Sequence, residues 1–395
     1  MKRILVLGAP IFQIEVIQKA KEMGHYVGAV DINEDAPALP YADERFICSI
    51  RDYDGVLKIA REFHPDGILI GANDTAVVTA ARVCEALGLP GHTVETAINA
   101  TDKVKMLEAF ERSDVSHPRF QVVRKQNIGH FEMRIPYPVI SKPTDSAGSR
   151  GVCVVRTEEE LYSAAAYSSK AGLSGDILIE EYMAGPEVSV EVIVVDGIPH
   201  ILQITDKITS GEPYFIEIGH SQPSALEDSI KERIKELASK AVIAVGLKNS
   251  PAHVEIKITE DGPKMVELGA RLGGGYLTSY LIDTSVSGIN MTESAVKLAL
   301  GMKPDVEKYH NSGVCAGIRC ILAKEGTIKA IRGVEEARKM PGAIKIRIMG
   351  KVGQRYSGAK SNSGRMGYVV CRGATTKEAL DRCQKALDVI KIEWE

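Results

Sequence analysis

Short apolar runs alternate with helix-patterned stretches through the first hundred residues. The run at 3–7 predicts a buried strand, and 14–23 spaces its apolar residues helically before stopping at Gly24. A strand at 26–31, a helix at 53–63, a strand at 67–71 and a helix at 75–87 ending on Gly88-Leu-Pro90 continue the alternation. Apolar strands separated by helices imply a doubly wound parallel sheet. A dinucleotide site is the first function such a sheet suggests, and the residues argue against it. The turn Gly8-Ala-Pro-Ile-Phe-Gln13 lacks the later glycines of that fingerprint, and Pro10 and Phe12 crowd the place of a pyrophosphate. Asp31, at the end of the second strand, is the one matching feature.

Beyond Thr101 the pattern changes. A helix at 102–112, capped by Thr101 or Asp102, leads to strands at 120–123 and 137–140 and a helix at 158–168. Strands at 177–180, 188–195 and 198–205 follow, the last two joined by Asp196-Gly197, and then a long amphipathic helix at 226–245. A hairpin of 252–258 with 264–268 closes this α+β part. Gly301-Met-Lys-Pro304 reads as a linker. Strands at 316–322, 344–348 and 368–372 with a helix at 377–389 make a small α+β module beyond it. The expected division is 1–98, 99–304 and 305–395.

Composition narrows the function classes. At 395 residues, 44% apolar and 26% charged, the chain reads as a soluble protein of two or three domains. Its net charge of −3 gives no pull toward nucleic acid or an anionic membrane. Basic clusters such as Lys345-Ile-Arg347 read as solvated strand faces. The basic start runs into an apolar stretch too short for a signal sequence, and no stretch is long enough to span a bilayer. Seven cysteines without a C-x-x-C pair read as free thiols, which places the protein in the cytoplasm without structural zinc.

Candidate chemistry begins at Val139-Ile-Ser-Lys142-Pro-Thr-Asp-Ser-Ala-Gly-Ser-Arg-Gly151. A strand ends in a lysine, and small residues let backbone N–H groups approach an anion. The loop runs into another strand, which excludes a Walker-type P-loop; an ordinary surface hairpin is the plain alternative. Gly353-Gln-Arg-Tyr-Ser-Gly358-Ala-Lys-Ser361 fails the P-loop spacing by one residue and reads as a flexible loop near the active site. Acids cluster in Ile179-Glu180-Glu181-Tyr-Met183-Ala-Gly-Pro-Glu187-Val-Ser-Val-Glu191, although acids at a turn are usually solvated. His253-Val-Glu255 and Glu267-Leu-Gly-Ala-Arg271 put one carboxylate on each arm of a hairpin, twelve residues apart and across from each other. Opposed like charges are destabilising unless neutralised, and a hard cation such as Mg²⁺ suits two carboxylates. Arg271 is a planar donor for carboxylate or phosphate. Splayed, solvated acids remain the alternative.

In this order, within one domain, these motifs resemble the ATP-grasp superfamily, and most of all its carboxylate–amine ligases of the L-amino-acid ligase branch. The resemblance covers nearly the whole chain. It implies a preATP-grasp parallel sheet, a two-lobed ATP-grasp fold and a small C-terminal module. It implies that Lys103, Lys142 and also Lys207 contact the ATP phosphates, with loop 144–151 closing over them through Ser146, Gly148 and Ser149. Glu180, Glu181 and Met183 would line the adenine hinge, Glu187 would hold the ribose, and Glu255 and Glu267 would bind magnesium, with manganese as a substitute. Arg271 would steady the acyl phosphate. Phe215-Ile-Glu-Ile-Gly-His220 resembles that branch's substrate segment, with His220 facing an amino acid, and Asp74 would receive an α-amino group. Many relatives carry Glu-x-Asn at the second metal acid; here Gly269 stands in the Asn place.

The implied reaction joins a small-molecule carboxylate to an amine through an acyl phosphate, releasing ADP and phosphate. The resemblance also implies a homodimer, while charge and cysteine usage imply a cytoplasmic protein without nucleic-acid or membrane partners. A purine-pathway or carbamoyl-phosphate-type ATP-grasp reaction and a non-catalytic nucleotide-binding module are the alternatives.

Overall fold

The computed structural model describes residues 1–146 and 148–395. Ala147, which the sequence places in the small-residue loop, lies outside the described residues. The N-terminal alternation folds into four parallel strands: β1 (Arg3–Leu7), β2 (Tyr26–Asp31), β3 (Glu44–Ile47) and β4 (Gly67–Leu69). Their order is β3-β2-β1-β4. Along β1, Ile4 and Val6 enter one core cluster while Leu5 and Leu7 enter another, so both faces of the sheet are covered. Strand β3 escapes the apolar pattern because it is an edge strand, alternately half-buried and exposed. Asp31 does not wait for a ribose: its carboxylate accepts from the backbone N–H of Ala9 at 2.7 Å and of Asn33 at 2.9 Å.

A second, antiparallel sheet is built from β5 (Phe120–Val123), β6 (Val139–Pro143), β7 (Cys153–Val155) and β8 (Ile177–Glu181), in the order β5-β8-β6-β7. The large sheet begins with β9 (Glu187–Val195), β10 (Ile198–Thr209), β11 (Glu217–Gln222), β12 (Ser250–Thr259) and β13 (Gly262–Gly269). The expected hairpins are both present. Strand β11 lies in the segment that resembles the ligase branch's substrate segment, and the sequence pattern does not announce it as a strand.

The strands beyond the Gly301-Met-Lys-Pro304 stretch extend this same sheet. Cys315–Leu322 pairs with β11, Arg365–Gly373 pairs with Cys315–Leu322, and Ala343–Ile348 forms the far edge, giving eight strands. Glu325–Arg332, Arg355–Ser357 and Lys391–Trp394 form a separate three-stranded sheet. The helix Met291–Ala299, unannounced in the sequence reading, packs Ala295, Val296 and Leu298 into the cluster that holds Ile4 and Val6. Gly67 of β4 allows this approach, since a Cβ there would stand 2.0 Å from the Ala299 carbonyl oxygen.

Lys345 and Arg347 correct the expectation of a solvated face. Their cationic groups lie 3.9 Å and 3.6 Å from Glu15, on the first helix (Gln13–Glu22), and the Lys345 ammonium sits 5.2 Å from the Tyr280 ring centroid. They link the edge strand Ala343–Ile348 to the first helix. All seven cysteines are free. Among the described residues no helix is long and apolar enough to cross a membrane.

Candidate active site

One cleft of about 360 Å³ opens between the antiparallel sheet, the large sheet and the N-terminal domain. Every residue given a site role by the resemblance lines it: Asp74, Lys103, Lys142, Ser146, Gly148, Ser149, Glu180, Glu181, Met183, Glu187, Lys207, His220, Glu255, Glu267 and Arg271. The local causes are simple. Asp102 caps the helix Lys103–Arg112, accepting from the N–H groups of Val104 and Lys105, and so places Lys103 at the first helical position. Alternation along β9 sends Val188, Val190 and Val192 into the core and leaves Glu187, Ser189 and Glu191 on the opposite face.

Lys103, Lys142, Lys207 and Arg271 each carry an acid. Lys142 Nζ lies 2.7 Å from Glu180, both under 10% exposed, because β6 and β8 are neighbouring strands. Lys103 pairs with Glu267 at 2.8 Å. Lys207, directly opposite Glu187 in the β9–β10 ladder, bonds it at 2.6 Å and reaches Glu255 at 2.8 Å. Arg271 forms a fork on Asp74, Nε to Oδ1 at 2.7 Å and Nη2 to Oδ2 at 2.8 Å. Glu181 is held by Lys264 at 2.6 Å and Arg119 at 3.0 Å. Glu255 and Glu267 are partners across the β12–β13 ladder, as expected from the spacing.

These contacts keep Lys103, Lys207, Glu255 and Asp74 ionised. Burial opposes the charge on Lys103 and Lys207, yet Glu267 raises the first and Glu187, Glu255 and Glu217 raise the second well above an ordinary lysine. Burial would likewise raise Glu255 and Asp74, but Lys207 with His253, and Arg271, bring them below the usual carboxylate range.

Five contributors receive no role from sequence. Glu191, fully buried, accepts at 2.6 Å from His253 Nδ1, whose other nitrogen stands 3.3 Å from Glu255; burial works against the imidazolium, but the two acids lift it to about 9. The polar face of β9 was the available signal. Glu217 is bound by Arg365 at 2.9 Å, and its backbone N–H donates to Asn362 at 2.9 Å. Asn362 also donates its backbone N–H to the carbonyl of Gly148 in the small-residue loop. Loop 353–361 therefore ends against the cleft, as expected, and no local motif announces Asn362 or Arg365.

Some buried polar atoms are left without a hydrogen-bond partner at the described residues: both ring nitrogens of His220, Ser146 Oγ, Ser189 Oγ and one oxygen of Glu180. Glu217 stands 3.7 Å from His220 Nε2, outside hydrogen-bond range. Burial pushes the His220 imidazole toward its neutral form. Orphaned polar atoms facing a cleft are what a polar ligand satisfies.

Residues 135–279 match the ATP-grasp domain family, and residues 319–395 match L-amino acid ligase C-terminal domain 2. The alanine–anticapsin ligase of Bacillus subtilis is 29% identical over 278 residues, 64% of this chain and 58% of that protein. The chain thus spans little more than half the length of that relative. The formate-dependent phosphoribosylglycinamide formyltransferase of Ignicoccus hospitalis is 24% identical over 99% of this chain and 96% of its own. The crystal structure of an L-amino acid ligase from Bacillus licheniformis superposes with a TM-score of 0.89 at 24% identity, covering 100% of this chain and 99% of that one. The fold is the ATP-grasp fold.

Proposed function

Since this chain carries an ATP-grasp domain followed by an L-amino acid ligase C-terminal domain, we propose that it is a carboxylate–amine ligase that activates an amino-acid carboxylate with ATP. The observation that carries the reading is the single cleft lined by all the residues expected for nucleotide, metal and substrate. Its three segments (1–98, 99–304 and 305–395) would each contribute to that cleft.

Glu255 and Glu267 offer oxygen donors only, facing each other, which suits Mg²⁺ with phosphate oxygens completing the shell; Mn²⁺ would substitute. Among the described residues no group of three His, Cys, Asp or Glu side chains makes an all-protein cage. Bound there, the cation supplies charge neutralisation for the phosphates.

The internal ion pairs suggest how a nucleotide enters. Lys103 and Lys207 hold the acids that a cation would take, so with Mg-ATP bound these lysines would turn to the phosphates and Glu267 and Glu255 would hold the cation. Lys142 adds a third positive charge, and loop 144–151 covers the phosphates through Ser146, Gly148 and Ser149. Glu180, Glu181 and Met183 receive the adenine and Glu187 the ribose. Arg271 offsets charge on the phosphoryl group, and His220 faces the amino acid. Phosphorylation gives the carboxylate a leaving group, the amine attacks the carbonyl carbon, and phosphate departs. Water must be kept out, because an acyl phosphate hydrolyses. A cytoplasmic homodimer acting on small molecules completes the reading.

The near full-length match to a formyltransferase supports a second reading, with formate and phosphoribosylglycinamide as substrates. Phosphate release from Mg-ATP decides between them. A panel of amino-acid pairs should give pair-dependent release and a condensed product. Release only with formate and phosphoribosylglycinamide would replace the first reading by the second, and release with no carboxylate would sink both.

A further inference from the structure

We propose that Asp74 is the positioning residue for Arg271, and that position 269 is glycine because their fork runs through the space a side chain would fill. Asp74 belongs to the turn after β4 in the N-terminal domain, and Arg271 follows β13, so 197 residues separate them. The Asn73 side chain fixes that turn by accepting from the Thr75 N–H at 3.0 Å. Both Asp74 oxygens are taken, one by Nε and one by Nη2 of Arg271. Arg271 Nη1 donates in addition to the Leu272 carbonyl at 3.0 Å. Three of the five guanidinium donors are thereby fixed, leaving one on each terminal nitrogen for an anion in the cleft.

Gly269 is the second observation. A Cβ built there would stand 2.7 Å from Asp74 Oδ1 and 3.0 Å from Arg271 Nε. No positive φ requires this glycine. Its lack of a side chain is what admits the fork. Asp74, engaged at both oxygens, aims the guanidinium instead of receiving the substrate's α-amino group.

A plain fastener between domains would make the same contacts, so the test separates aiming from fastening. It rests on the ligase reading for its kinetic arm only. The first arm follows the Arg271 Nε–H signal by ¹⁵N NMR in nucleotide-free protein, assigned by its loss in Arg271→Lys. Asp74→Asn and Gly269→Ala should each speed exchange of that proton by at least tenfold. The second arm measures kcat and KM. Both variants should lower kcat on the order of 100-fold, the scale of an ångström-sized misplacement, with KM for ATP unchanged. The double variant should be no worse than about threefold below either single, since both act on one fork. Asp74→Glu should recover part of kcat. An unmoved Nε–H signal overturns the proposal. So does a raised KM for an amino acid at unchanged kcat, or fully additive effects of the two variants. If the wild type releases no phosphate with any carboxylate, the ligase reading falls and the exchange arm alone decides the positioning role.

Discussion

Glu255 and Glu267 face each other because the ladder between their strands slips by one residue beside them. Ile256 pairs with Met265, whereas Glu255 pairs with Glu267, so Val266 is the extra residue of a bulge. Without it Val266 would oppose Glu255 and the two carboxylates would not meet. If that pair holds the cation, Glu267→Gln should lower carboxylate-dependent phosphate release by roughly 100-fold or more while the protein stays folded by circular dichroism. Undiminished release would remove Glu267 from the metal role.

Lys142 and Glu180 form the most enclosed ion pair of the antiparallel sheet. Removing one partner strands a buried charge. Lys142→Met should therefore cost about 3 kcal/mol in urea unfolding, and Lys142→Met with Glu180→Leu should recover most of it. Equal losses in the single and double variants would contradict the pairing.

His253 ties stability to alkaline pH. Its folded pKa of about 9 lies above the ordinary 6.5, so its contribution is complete below 6.5 and disappears as pH rises through 9. The contribution is on the order of 3 kcal/mol. Urea midpoints of ligand-free protein should fall across that window, and His253→Gln should flatten the slope. A slope that survives the substitution would place its cause elsewhere.

Gly185 sits between Met183 and Glu187 at φ +122°, where a Cβ would lie 2.0 Å from the Ile258 carbonyl oxygen. Backbone strain and overlap together should make Gly185→Ala cost about 3 kcal/mol. The KM for ATP should rise with it, because the strap between β8 and β9 must move. An unaltered KM would show that this strap does not carry the nucleotide.

The sequence was most readable where chemistry is local. Strand and helix alternation located β1, β2 and the helix Tyr53–Phe63 to the residue. The spacing of Glu255 and Glu267 found the right pairing through a two-residue turn plus a bulge, a combination the spacing alone does not distinguish from a three-residue turn. Long-range electrostatics were not readable. Lys345 and Arg347 were read as solvated because Glu15 lies at the other end of the chain. Arg365 and Asn362 had no motif, and Asp74 gave no sign that its partner is Arg271.

The large sheet also sets an order of events during synthesis. Strand β11 emerges from the ribosome long before Cys315–Leu322, the strand that covers its open edge. Until then the nascent chain exposes an unpaired β-edge, the kind of surface that recruits chaperones or aggregates. Arg365 arrives later still, so Glu217 beside Lys207 lacks one of its cations until that residue is made. A ribosome-stalled chain ending before Cys315 should therefore fail to assemble the candidate site, however complete its nucleotide motifs.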